Sequence, residues 1–301
     1  MDKIYQQNYS NHFLTLYSQN YKQLWLPIKS NIRNSRTYQK SAYGFCSLDE
    51  IEEIAKSENI TLKLDFSFSE KDWLKTYTTP QGDVDILYFS QRDDFVHAVN
   101  SLGNYCEPKD YPLTMKSVCI TGIYNWPKIN EYLDKSMIRP LAIEEINENI
   151  KDYLTSLIIV GDGPYSNIPS EVLSFDEDYW LSKSLTIRIY HELCHFIRNS
   201  LNIESKDQIF EEVLADACGL ISAFENYDTN FAKIFLGIKK GRYKDGGRLE
   251  NYVHNKTEIQ DIADEANVYI ESLSFLIKDN ANMQFISSLK KESVIGIDGT
   301  N

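Results

Sequence analysis

With 301 residues, 42% of them hydrophobic and 25% charged, the chain has enough apolar material to bury a core in one large domain or two ordinary ones, which excludes a disordered polymer. A formal charge of −13 argues against nucleic acid or an anionic membrane as the main partner. The polar start MDKIYQQNYSNHF does not read as a secretory signal, no apolar run approaches the roughly 18 residues of a membrane span, and the five cysteines (Cys46, Cys106, Cys119, Cys194, Cys218) form no CxxC pair, so the expectation is a cytoplasmic protein with reduced thiols.

In chain order, NHFLTLYSQNYKQLWLPI has helical character up to Pro27, and SLDEIEEIAKSENI predicts a helix opened by Ser47 with acids in its first turn. TLKLDFSF alternates as a strand does, and VDILYF and SVCITGIY are strand-like, with a helix expected from Gln91 to Leu102 between them. LAIEEINENIKDYL has helical spacing, SLIIVG is a short apolar strand, and GDGPYSNIP is a loop on its Gly and Pro content. From Ser174 onward the chain turns helical. These elements predict an α+β fold, divided near residue 140 into a mixed region (1–140) of unassigned role and a mostly helical half (141–301); one continuous domain is the other arrangement they allow.

The second half carries IYHELCHFI. SFDEDYWLSKSLTIRIYHELCHFIRNS reads as one long helix, with Ser174 and Glu177 as its expected capping box. His191 and His195, four apart, share a face and can reach one point in space. Glu192 is displaced by about 100° around the axis and suits a base acting on a metal-bound water better than a third ligand. A chain with this many His and Glu contains the HExxH pattern by chance only about 0.006 times, yet a buried structural pair of histidines would look the same.

The following segment separates the two readings. SKDQIFEEVLADACGLISAF predicts a helix with Ser205 and Gln208 as capping box and an apolar stripe from Ile209 to Phe224. Glu212 and Asp216 sit four apart at the border of that stripe, where they can face a neighbouring helix. The first helix runs roughly 6 Å past His195, and Glu212 lies roughly 9 Å into the second, so antiparallel packing returns Glu212 to the level of the histidines. Two imidazoles and a carboxylate would then hold zinc with one position left for water, and Asp216 could accept the free N–H of a ligand histidine.

HExxH followed by ExxxD on a second helix resembles the gluzincin group of zinc metallopeptidases, over residues 191–216. The resemblance implies His191, His195 and Glu212 as zinc ligands, Glu192 as catalytic base, Asp216 as the acid supporting the first histidine, and a peptide or protein as substrate. Sixteen residues separate His195 from Glu212, a tighter connection than in familiar members, which leaves Glu211 as the neighbouring alternative. An oxyanion donor is expected from GIKKGRYKDGGRLENYVHN. Arg242, Tyr243, Arg248, Tyr252 and His254 all qualify, with Tyr243 and Arg248 preferred. The resemblance further suggests SLIIVGDGPYSN as a cleft edge that adds the substrate to a sheet, against the alternative of a buried strand. A catalytically silent binding or regulatory protein, or a hydrolase of a non-peptide amide, would use the same constellation. His12, His97 and the scattered tryptophans carry no ligand pattern. EIQDIADEANVYIESLSFLI reads as an amphipathic helix packed on the motif helices.

Overall fold

A computed structural model of the chain describes residues 67, 69–103, 109–203, 205–253, 255–277 and 282–289. The helices expected before residue 61 and, but for Ser67, the strand expected over 61–68 lie outside the described residues. The fold is α+β, and the described chain divides into two compact units. The first comprises residues up to 77, 84–111 and 120–161; the second comprises 78–83, 112–119 and 162 onwards.

The first unit is built on strands β1 (Trp73–Thr79), β2 (Gly82–Phe89), β3 (Ser117–Tyr124) and β4 (Leu154–Gly161), in the order β1-β2-β4-β3. β2 and β4 run parallel at the centre, with Asp85 opposite Leu157 and Phe89 opposite Gly161. Ile86, Leu87, Phe89, Ile158, Ile159 and Val160 are completely buried. Interior parallel strands are covered on both faces, which explains why VDILYF and SLIIVG are near-continuous apolar runs. Helix α1 (Arg92–Gly103) packs on β4, where Gly161 gives Phe95 room: an added Cβ would stand 3.1 Å from its ring. Helices α2 (Trp126–Lys135) and α3 (Arg139–Glu148) share a small core of Ile129, Leu133, Ala142 and Ile146. The helix predicted through Leu154 ends early. The Asn149 amide side chain donates to the Glu145 carbonyl at 2.9 Å, and the chain tightens into a 3-10 turn over Ile150–Tyr153. β1 and α2 were not anticipated from sequence. The division into units falls at Gly161, so α3 and β4 go with the sheet although the change of character was expected near residue 140.

The second unit is helical. Helix α4 (Glu177–Ser200) carries HExxH and α5 (Gln208–Phe224) carries ExxxD. α6 (Thr229–Leu236) follows, then the two-stranded ribbon β5 (Ile238–Lys239) and β6 (Arg242–Tyr243), a 3-10 turn (Arg248–Tyr252), α7 (Ile259–Ile277) and α8 (Met283–Ser288). Both capping boxes are displaced from their expected positions. Asp176 caps α4 by accepting from the Tyr179 N–H, while Ser174, at φ +57°, closes the preceding 3-10 turn. Asp207 caps α5 through the Phe210 N–H, and the Ser205 hydroxyl accepts from Asp207 N. Aspartate is as good a cap as serine, and in each segment it stands directly before the first helical residue.

α4 and α5 lie antiparallel. Arg198 meets Glu211, His191 meets Asp216, Ile187 faces Gly219, and Lys183 donates to the Ala223 carbonyl at 2.5 Å. The approach is close because residue 219 has no side chain; a Cβ there would stand 2.7 Å from the Ile187 carbonyl oxygen. Trp180, Ile187, Val213, Leu214, Ala217, Leu220, Tyr269 and Ile270 join one apolar core, with α7 packed on α5 as its amphipathic pattern predicts. Among the described residues no helix is long and apolar enough to cross a membrane.

Candidate metal centre

On α4, His191 and His195 present Nε2 atoms 3.2 Å apart. Across the helix pair, Glu212 Oε2 stands 3.5 Å from His191 Nε2 and Oε1 stands 3.7 Å from His195 Nε2. These three residues form a group that could hold a metal ion, with ligand atoms all within 4.8 Å of one another. Glu211 is not the ligand. Its carboxylate takes a two-pronged bond from Arg198, at 2.5 Å from Nε and 2.7 Å from Nη2. Arg198 is wholly buried and also donates to the carbonyls of Ser287, Leu289 and Ile203, so every nitrogen of the guanidinium has an acceptor.

Asp216 occupies its expected place. Its Oδ1 lies 2.9 Å from His191 Nδ1, which orients the ring and turns Nε2 towards His195 and Glu212. Sequence reasoning missed Tyr165, whose hydroxyl donates to Asp216 Oδ1 at 2.6 Å and lies 3.0 Å from His191 Nδ1. No spacing rule links residue 165 to the motif. Its loop is held by a bond from Tyr165 N to the Ser184 hydroxyl at 2.9 Å, and by two residues with positive φ, Ser166 and Asn167.

Of the expected oxyanion donors, Arg248 is buried and committed elsewhere. One terminal nitrogen donates to Asp216 Oδ2 and the other to the Tyr165 hydroxyl at 2.7 Å. It supports the site from behind. Tyr243 makes no contact with the ligand group; its hydroxyl is bonded to the Gly247 carbonyl at 3.1 Å and the Glu250 carboxylate at 2.9 Å, bracing the turn. Tyr252 does touch this group, donating to Glu212 Oε2 at 2.7 Å. Arg242 is exposed, and His254 lies outside the described residues. β4 is flanked by β2 and β3, so its backbone groups are already paired and it cannot serve as the edge that accepts a substrate strand.

Electrostatics follow from this packing. Burial disfavours a charged His191, yet its bonds to Asp216 and Glu212 outweigh burial and carry its pKa up to about 10. Burial would raise the Glu212 carboxyl, but the His191 bond and charge hold it well below the usual carboxylate range. Asp216 is likewise lowered, against burial, mainly by the Arg248 charge. Without a bound cation, His191 is therefore an imidazolium at neutral pH between two carboxylates. A metal competes with that proton.

Glu192 stands apart. Its residue is 6% exposed, and its carboxylate has no hydrogen bond or ion pair to any described residue. The other buried acids of this unit are all held: Glu211 by Arg198, Asp216 by Arg248 and Tyr165.

The chain belongs to a family of unknown function (DUF7005), whose model matches residues 3–292. No curated protein and no solved structure matches it.

Proposed function

We propose that this protein is a zinc-dependent peptidase. Ligand atoms about 2.0–2.1 Å from a tetrahedral zinc lie about 3.3–3.4 Å apart; the two imidazole nitrogens, 3.2 Å apart, and Glu212 Oε1, 3.7 Å from His195 Nε2, need little adjustment to meet that geometry. Two imidazoles and one carboxylate are the donor set of catalytic zinc sites that keep a fourth position open. Bound there, zinc would supply Lewis acidity, bringing a water pKa towards about 7 and polarising a carbonyl.

The observation that carries the catalytic part of the reading is the carboxylate of Glu192, adjacent in sequence to one candidate ligand, bonded to no described residue and not sealed from solvent. A carboxylate left open in this way can accept a proton, and a module that only binds has no use for it. In the proposed reaction Glu192 takes a proton from the attacking water and passes it to the leaving nitrogen. Asp216, Tyr165 and Arg248 keep the His191 ring fixed through the cycle. That the scissile bond is a peptide rests on the resemblance of HExxH…ExxxD to gluzincins. The buried free thiols Cys194 and Cys218 support a reducing, cytoplasmic location.

The test is elemental analysis of purified protein together with turnover of a mixed peptide library. We expect about one zinc per chain, lost in His195→Ala and retained in Glu192→Gln, with library cleavage only by the wild type. A chain that takes up no metal overturns the reading. A zinc-loaded wild type that cleaves neither peptides nor a panel of other amides would make the protein a binding module instead.

A further inference from the structure

The 3-10 turn Arg248–Tyr252 carries two long polar side chains four residues apart, and each reaches a different acid of α5. Arg248 holds Asp216, and Tyr252 holds Glu212. Those acids are themselves four apart, so one short turn is matched tooth for tooth to the ExxxD face. The turn is braced. Tyr243 bonds Gly247 and Glu250, Gly246 N donates to Glu250 Oε1 at 2.7 Å, and the backbone at Gly247 lies so close to Gly237 that a Cβ on either would meet the other's Cα within 2.7 Å.

Glu212 must bind through one oxygen if a fourth position is to stay open, because a carboxylate that chelates takes two. Oε2 is the oxygen held by the Tyr252 hydroxyl, while Oε1, 3.7 Å from His195 Nε2, takes no hydrogen bond from any described residue. We propose that Tyr252 is a positioning residue that holds Oε2 of Glu212, so that the carboxylate binds the metal through Oε1 alone and leaves room for water. This inference rests on the zinc reading above and adds the residue that sets the coordination number. It assigns the 248–252 turn a task in metal binding, where the sequence suggested a source of oxyanion donors.

Cobalt(II) is the probe, since its visible absorption is strong in four-coordinate sites and weak in higher-coordinate ones. Wild type and Tyr252→Phe are loaded with cobalt, and zinc affinity is measured by competition with a chelator. The phenyl ring preserves packing and removes only the hydroxyl. The expected result is a weaker, shifted cobalt band in Tyr252→Phe, with zinc affinity lowered about 10- to 100-fold, the usual cost of losing a residue that supports a ligand. Arg248→Lys, which keeps the charge beside Asp216, should lower affinity while leaving the cobalt band intensity at the wild-type level. If wild type binds metal and Tyr252→Phe shows the same band and affinity, or only a lower melting temperature, the tyrosine is a packing residue and this inference falls alone. If wild type binds neither zinc nor cobalt, the zinc reading and the inference fall together.

Discussion

The centre of the sheet and the α4–α5 interface bury very different things. At the centre of the sheet, β2 and β4 sequester Ile86, Leu87, Phe89, Ile158, Ile159 and Val160 with no charge among them. Between α4, α5 and the 248–252 turn, the second unit buries His191, Arg198, Glu211, Asp216 and Arg248. Apolar burial stabilises directly, at about 1.5–3 kcal/mol for a large side chain. Buried ion pairs roughly break even against well-packed apolar residues, so they are a poor choice where stability alone is needed. Their concentration on facing surfaces of two helices and one turn is what the proposed function would explain.

The sharpest way to break that contrast is Glu192→Gln. If the charged face is catalytic, hydrolysis should fall by about 100- to 10,000-fold at unchanged zinc content, read by initial rates and metal analysis. Next comes Arg198→Ala, which strands Glu211 and should cost about 3–5 kcal/mol in urea unfolding. The double change Arg198→Met with Glu211→Leu should recover most of that loss, because an apolar pair of similar volume replaces the ions; failure to recover would mean the pair specifies the helix register.

A third test uses pH. His191 titrates near 10 without metal and binds metal only as neutral imidazole, while Glu212 is already ionised. Zinc affinity should rise about tenfold per unit between pH 7 and 9, and binding should release about one proton, measurable by calorimetry in buffers of different ionisation enthalpy. Stability of the metal-free protein should run the other way. The contribution of charged His191 is present in full below about 6.5 and is lost as pH rises through about 10. Gly219→Ala is expected to cost about 1–3 kcal/mol by pushing against the Ile187 carbonyl, and to weaken zinc binding as the helices part. Ile159→Val in the sheet should cost only about 0.5–1.5 kcal/mol and leave zinc affinity untouched. A change in zinc affinity there would erase the distinction between the units.

What could be read from sequence follows the range of the interactions. His191, His195, Glu212 and Asp216 announce themselves because helical periodicity converts a spacing of four into a shared face. Antiparallel packing then requires only a short connection. The central strands were legible because double-sided burial demands apolar runs. The caps were misplaced by two residues, since Ser174 and Asp176, like Ser205 and Asp207, offer the same chemistry and only the backbone decides which one begins the helix. Tyr165, Arg198 and the bond from Tyr252 to Glu212 were hidden because these contacts join separate segments, and no local pattern encodes them. No local pattern marks Gly219 as the point where the Ile187 carbonyl comes close.

Arg198 has one more consequence. Two of its acceptors are carbonyls of residues 287 and 289, near the end of the described chain, so the helix bearing both histidines is tied to a segment almost a hundred positions away. A protease cut or a bulky fusion that lifts this segment would deprive a guanidinium with no exposed surface of two acceptors at once. Arg198 thus couples the α4 helix, which carries both histidines, to the backbone of residues 287–289.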